Sequence, residues 1–112
     1  MEKVERGGKV IEIDKLREYF KTDTVLVSNH ASERFRQRHI RMKDIRSCIV
    51  SGEIIEQYPD DLPFPSCLVL GYTEDKIAIH VVLSDEGNGS RIITAYVPDK
   101  DKWNKDMKTR KE

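Results

Sequence analysis

Between positions 30 and 46 the sequence reads HASERFRQRHIRMKDIR. These seventeen positions hold two histidines, six Lys or Arg and two carboxylates, a local net charge of plus four. The whole chain balances 20 basic against 20 acidic residues, so any polyanion site must be local. On a helix, His30 and Arg34 share one face, with Arg38 a turn further on. Like charges at that spacing cost roughly 0.2–0.5 kcal/mol per exposed pair once His30 is protonated, so stability alone does not favour them. Arginine presents a fork of donors to phosphate oxygens, and histidine moves protons near neutral pH. The stretch therefore reads as a phosphate site. His30 and Arg34 are catalytic candidates, and Arg34, Arg38 and Arg41 are candidates for holding RNA phosphates. The competing account is a solvated basic helix face, balanced by Glu53, Glu56, Asp60 and Asp61.

A second set of chemistry-bearing residues falls in strand-like segments. In IAIHVVL, Ile77, Ile79, Val81 and Leu83 point one way, and Ala78, His80 and Val82 the other. In RIITAYV, Ile93, Ala95 and Val97 share a face, leaving Ile92, Thr94 and Tyr96 opposite. The apolar sets are expected to face a helical layer, and His80 and Tyr96 to share the other surface. Metal-free RNA cleavage needs a base for the ribose 2′-hydroxyl, an acid for the 5′-oxygen and donors for the growing phosphate charge. A helix start lowers a histidine's proton affinity, so His30 suits the base and His80 the acid. Arg34 would hold the phosphate, while Tyr96 donates or stacks on a base. That scheme requires His30, His80 and Tyr96 to surround one open cleft.

The elements that must position these residues follow from periodicity. Residues 1–9 look flexible, with a Gly7-Gly8 break. IEIDKLREYF spaces Ile13, Leu16 and Phe20 helically. TVLVS reads as a short extended link, and Ser28 or Asn29 as the cap of a helix burying Ala31, Phe35 and His39. A further helix over 43–51 turns Ile45, Cys48 and Ile49 inward and ends at Gly52. From Glu53 the period becomes two. EIIEQY, SCLVLGYTE, IAIHVVL and RIITAYV read as strands, the last pair joined through Asn88-Gly89. Trp103 and Met107, four apart in a polar tail, predict a short C-terminal helix. The expected fold is one α+β domain over 1–112: N-terminal helices on a four-stranded antiparallel β-meander, with a short C-terminal helix.

Composition narrows the function classes. No apolar run approaches the ~20 residues of a membrane helix, so no membrane partner is expected. The charged N-terminus does not resemble a signal peptide, which predicts a cytoplasmic location. Cys48 and Cys67 match no zinc spacing and read as small buried hydrophobes. The sequence has no GxxxxGK loop, no HExxH and no clustered Asp/Glu set, so neither metal nor cofactor is expected.

The order HASERFRQRHI, GEIIEQYPDDLPFPSCLVLGY, IHVVLS and IITAYVPDKDKW resembles the domain-of-unknown-function family 4258 over residues 29–110. The most specific parts are His30, Ala31, Arg34 and Arg38, then Thr94, Tyr96, Pro98, Asp99 and Trp103. The resemblance implies a toxin of a prokaryotic type II toxin–antitoxin pair. Its partners would be RNA, mRNA included, and a cognate antitoxin with zinc-finger and helix-turn-helix parts. By fold analogy the layout is also similar to the RelE and barnase-like ribonucleases. The expected function is thus a metal-independent endoribonuclease. The alternative is a non-catalytic protein- or RNA-binding module that uses the basic helical segment.

Overall fold

The computed structural model describes residues 10–112, so the flexible segment expected at 1–9 lies outside the described residues. The elements run α1 (Ile13–Lys21), β1 (Val25–Val27), α2 (Asn29–Gln37), α3 (Met42–Ser51), β2 (Glu53–Tyr58), β3 (Ser66–Tyr72), β4 (Ala78–Asp85) and β5 (Ser90–Tyr96). The strands form one sheet in the order β1-β5-β4-β3-β2. The last four make the expected antiparallel meander. The sheet is nevertheless mixed and five-stranded, because TVLVS becomes a strand pairing parallel with β5, Val25 opposite Ser90. Three residues cannot hold an extended form alone. β1 exists because β5 supplies its hydrogen-bond partners and the core takes Val25 and Val27.

The helices cover one face of this sheet. In α1, Leu16, Tyr19 and Phe20 are buried, while the Arg17 side chain donates to the carbonyls of Ile49 (3.0 Å) and Gly52 (2.9 Å). Arg17 thereby satisfies carbonyls left open at the end of α3. At the start of α2, Ser28 Oγ accepts the Ala31 N–H at 3.0 Å, and Ala31 and Phe35 are buried as expected. His39 is not part of that stripe. It adopts a left-handed conformation (φ 58°), its N–H donating to the Arg36 carbonyl and the Ile40 N–H to that of Phe35. This paired closure ends the helix and turns Ile40 into the core in place of His39. In α3, the Asp44 carboxylate accepts the Arg41 N–H, and Ile45, Cys48 and Ile49 are buried. A Cβ on Gly71 of β3 would lie 2.3 Å from the Cys48 carbonyl oxygen, so only glycine lets α3 press this close to the sheet. Both thiols are sealed in this core, and burial pushes each up to about 12.

In β4 Ile79, Val81 and Leu83 are wholly buried, as expected, but Ile77, expected to join them, precedes the strand and is exposed. In β5 the alternation is interrupted. Val82 pairs with Thr94 but Leu83 pairs with Ile92, which leaves Ile93 as the extra residue of a β-bulge. Ile92 is therefore the residue facing the helices, while Ile93 is 47% exposed, contrary to the expected assignment. After the bulge the parity returns, with Ala95 buried toward the helices.

The opposite face of the sheet is covered as well. Leu68, Leu70 and His80 stand on it and are buried, beneath a strap formed by residues 98–111 that contributes the buried Trp103. The C-terminal helix expected there does not form. Trp103 bridges antiparallel to Arg110, the Asn104 N–H donates to the Thr109 carbonyl, and Met107 is left-handed (φ 60°). The carboxylates of Asp99 and Asp106 accept N–H groups two residues ahead, local bonds that compete with helix formation. Among the described residues, no helix is long and apolar enough to cross a membrane.

Candidate functional site

The sheet register sets His80 directly opposite Tyr96. His80 Nε2 lies 2.8 Å from the Met107 carbonyl oxygen, which can only accept, so Nε2 carries the proton. Nδ1 is then left with its lone pair toward the Tyr96 hydroxyl, 3.3 Å away, which donates to it. The Trp103 ring stands edge-on to the imidazole, centroids 4.5 Å apart. His80 is 0% exposed. Burial lowers its proton affinity below the ordinary value, only partly offset by the Met107 carbonyl and the charge of Glu56. Burial likewise raises the Tyr96 phenol, so both members of the pair are neutral near pH 7.

Beside this pair lies a second polar cluster. Glu56 of β2 accepts two parallel bonds from the Arg110 guanidinium, each 3.0 Å long, and a third from the Tyr58 hydroxyl. The Arg110 bonds are the main reason that the Glu56 carboxyl is held below its usual range. Burial first, and then Glu56, push the Tyr58 phenol up to about 12. Arg110 also stacks over Trp103, 4.5 Å from the ring centroid. The strap is thus fastened at His80 through Met107 and at Glu56 through Arg110.

The cationic candidates on α2 lie on the helical side. His30 and Arg34 are exposed and, among the described residues, bond to no side chain. Arg38 closes the helix and reaches β5, donating to Thr94 Oγ1 (3.2 Å) and to the Ala95 carbonyl (2.8 Å). That carbonyl lies beyond the reach of β1, which pairs only with Ser90, Arg91 and Ile92. Thr94 stands on the His80 face, so Arg38 carries the basic stripe around the sheet edge toward Tyr96. Arg41 turns to its own helix, its Nε 3.7 Å from the Asp44 carboxylate. The structure therefore joins His80 to Tyr96 and Arg38 to the same strand. It does not join His30 to His80. Their elements occupy opposite faces of the sheet, and the strap closes over His80 where an open cleft was expected.

The domain of unknown function DUF4258 matches residues 27–97. The chain belongs to that family. No curated protein and no solved structure matches the chain. The DUF4258 region contains His30, Arg34, Arg38, Arg41, Glu56, His80 and Tyr96, whereas Trp103, Met107 and Arg110 lie beyond it. The outer face of the DUF4258 sheet is therefore completed by residues outside the matched span. Of these, Trp103 and Met107 carried a sequence signal, as two large apolar residues four apart in a polar tail, though that spacing suggests a helix. Glu56 and Arg110 are ordinary surface charges in the sequence, and their pairing depends on the folded strap. Among the described residues, no three His, Cys, Asp or Glu side chains converge on a metal-sized position.

Proposed function

We propose that this chain is the toxin of a prokaryotic type II toxin–antitoxin pair and a metal-independent endoribonuclease of RelE/barnase-like layout acting on cytoplasmic RNA. The observation that supports this reading is the course of the basic stripe: His30, Arg34 and Arg38 follow α2 to the strand edge where Arg38 meets Thr94, two residues from Tyr96. A phosphate at this edge would be held by Arg34 and Arg38. The Tyr96 oxygen takes the 2′-hydroxyl proton while its own proton passes to His80 Nδ1. The 2′-oxygen then bonds to phosphorus, the bond to the 5′-oxygen breaks, and that oxygen takes a proton from solvent. Burial disfavours the imidazolium formed at His80, and the Met107 carbonyl and Glu56 offset part of that cost. The hydrogen-bond direction at Nδ1 favours a base at His80, the reverse of the acid role assigned from the sequence, and leaves His30 with Arg34 as a phosphate-binding pair. Within the pair, the antitoxin with zinc-finger and helix-turn-helix parts would restrain the exposed cationic edge.

One observation favours a second reading. His80 is sealed under the strap, which suits a non-catalytic module that binds RNA or protein through α2. Incubating RNA with the chain in EDTA separates the two. The nuclease reading expects fragments ending in 2′,3′-cyclic phosphate that vanish with Tyr96→Phe, and growth arrest on induction that is relieved by His30→Ala. RNA retained without cut product, its affinity losing salt dependence in Arg34→Gln, assigns the chain to the binding class.

A further inference from the structure

The strap also lines a hollow of roughly 530 Å³, bounded by Lys100, Trp103, Asn104, Lys105, Met107 and Lys111. Its volume falls in the range of small-ligand sites. Three of its six lining residues are lysines. Elsewhere on the strap Lys108 pairs with Glu53 and Arg110 with Glu56, but among the described residues none of these three has a carboxylate at ion-pair distance. The carboxylates of Asp99 and Asp106 accept N–H groups of their own turns and form no ion pair with these lysines. Three like charges lining one concavity favour an anion there, an attraction that salt will weaken because all three are exposed. Trp103 and Met107 give the hollow an apolar side, so the fitting ligand joins a negative group to a flat, weakly polar body. Lysine suits a phosphate in this setting, since its three donors rotate around a compact charge.

We propose that this hollow binds a nucleoside phosphate, either free or as one nucleotide of an RNA strand. The phosphate lies among Lys100, Lys105 and Lys111, and the base lies over Met107, next to Trp103, whose ring is itself packed against Arg110 and His80. The site is separate from the α2 edge and does not depend on cleavage at Tyr96. Met107 lines the hollow and its carbonyl holds His80, so an occupied hollow fixes the strap over that histidine.

The chain has a single tryptophan, and it lines the hollow. The full chain is therefore titrated with ADP and, separately, with a short single-stranded RNA while Trp103 fluorescence is followed. A saturable change is expected with ADP. A Lys105→Gln/Lys111→Gln double variant, altered only at exposed positions, should bind about tenfold or more weakly because it loses two charge-assisted contacts. Arg34→Gln should leave the ADP response unchanged, which keeps this site distinct from the α2 edge. A response to RNA but not to ADP, equally sensitive to the lysine variant, identifies the strand as the source of the nucleotide. Silence toward both probes overturns the proposal, as does a response that the double variant leaves intact. A response confined to an acidic peptide assigns the hollow to a protein and also overturns it.

Discussion

Replacing His80 with Gln should flatten the acid limb of the chain's stability. In the folded chain the imidazole is buried, and burial holds its proton affinity below the ordinary value of 6.5. The unfolded chain then binds the proton more readily than the folded one. Stability from this group is complete above pH 6.5 and falls as the pH drops from there toward the folded value. The slope is at most about 1.4 kcal/mol per pH unit, because only one proton is involved. Between pH 7.5 and 5.5 the wild type should lose stability through this group, by no more than about 1.4 kcal/mol. His80→Gln should be less stable at pH 7.5, having lost the Tyr96 bond and the ring contact with Trp103, but its own decline should be shallower by that amount. Glu56 does not confuse the comparison. Its carboxyl is held below its ordinary 4.5, so its contribution is lost only at lower pH. Urea denaturation at pH 7.5, 6.5 and 5.5 provides the measurement. Parallel pH profiles for the two proteins would refute a buried neutral His80.

Gly71→Ala should cost about 1–3 kcal/mol, since its Cβ would meet the Cys48 carbonyl and push α3 off the sheet; an unchanged urea midpoint would exclude that close approach. His39→Gly should stabilise the chain by roughly 0.5–1 kcal/mol, because the position is left-handed and exposed. A lower Tm in that variant would mean the imidazole has a native partner. Arg110→Ala should cost about 1 kcal/mol, a modest figure because the arginine is largely solvated, and should red-shift Trp103 emission as the stack over its ring is lost. Unshifted emission would show that Arg110 does not cover the tryptophan.

The helices and the meander were legible because their apolar periods are strong: Ala31 and Phe35 mark α2, and Ile79, Val81 and Leu83 mark β4. β1 was not, since Val25–Val27 is too short to carry a pattern and becomes a strand only through β5. The bulge was hidden for another reason. Ile92 and Ile93 are equally apolar, so alternation cannot tell which one points inward, and only the pairing with Leu83 decides. At the site, the shared face of His80 and Tyr96 followed from strand parity. The cover over it did not, because the i, i+4 spacing of Trp103 and Met107 suggested a helix while the Asp99 and Asp106 side chains close tight turns instead.

The strap also sets an order of events on the ribosome. β2 to β5 emerge before Trp103, Met107 and Arg110, so the nascent sheet can pack against its helices while its other face is still bare. During that interval Leu68, Leu70 and His80 meet water, and the half-finished domain offers an apolar surface of the kind that chaperones and proteases recognise. A chain whose translation stalls between Tyr96 and Trp103 would keep every residue of the matched region and still lack the cover. For this fold, the arrival of residues 98–111 separates a sealed domain from one marked for removal.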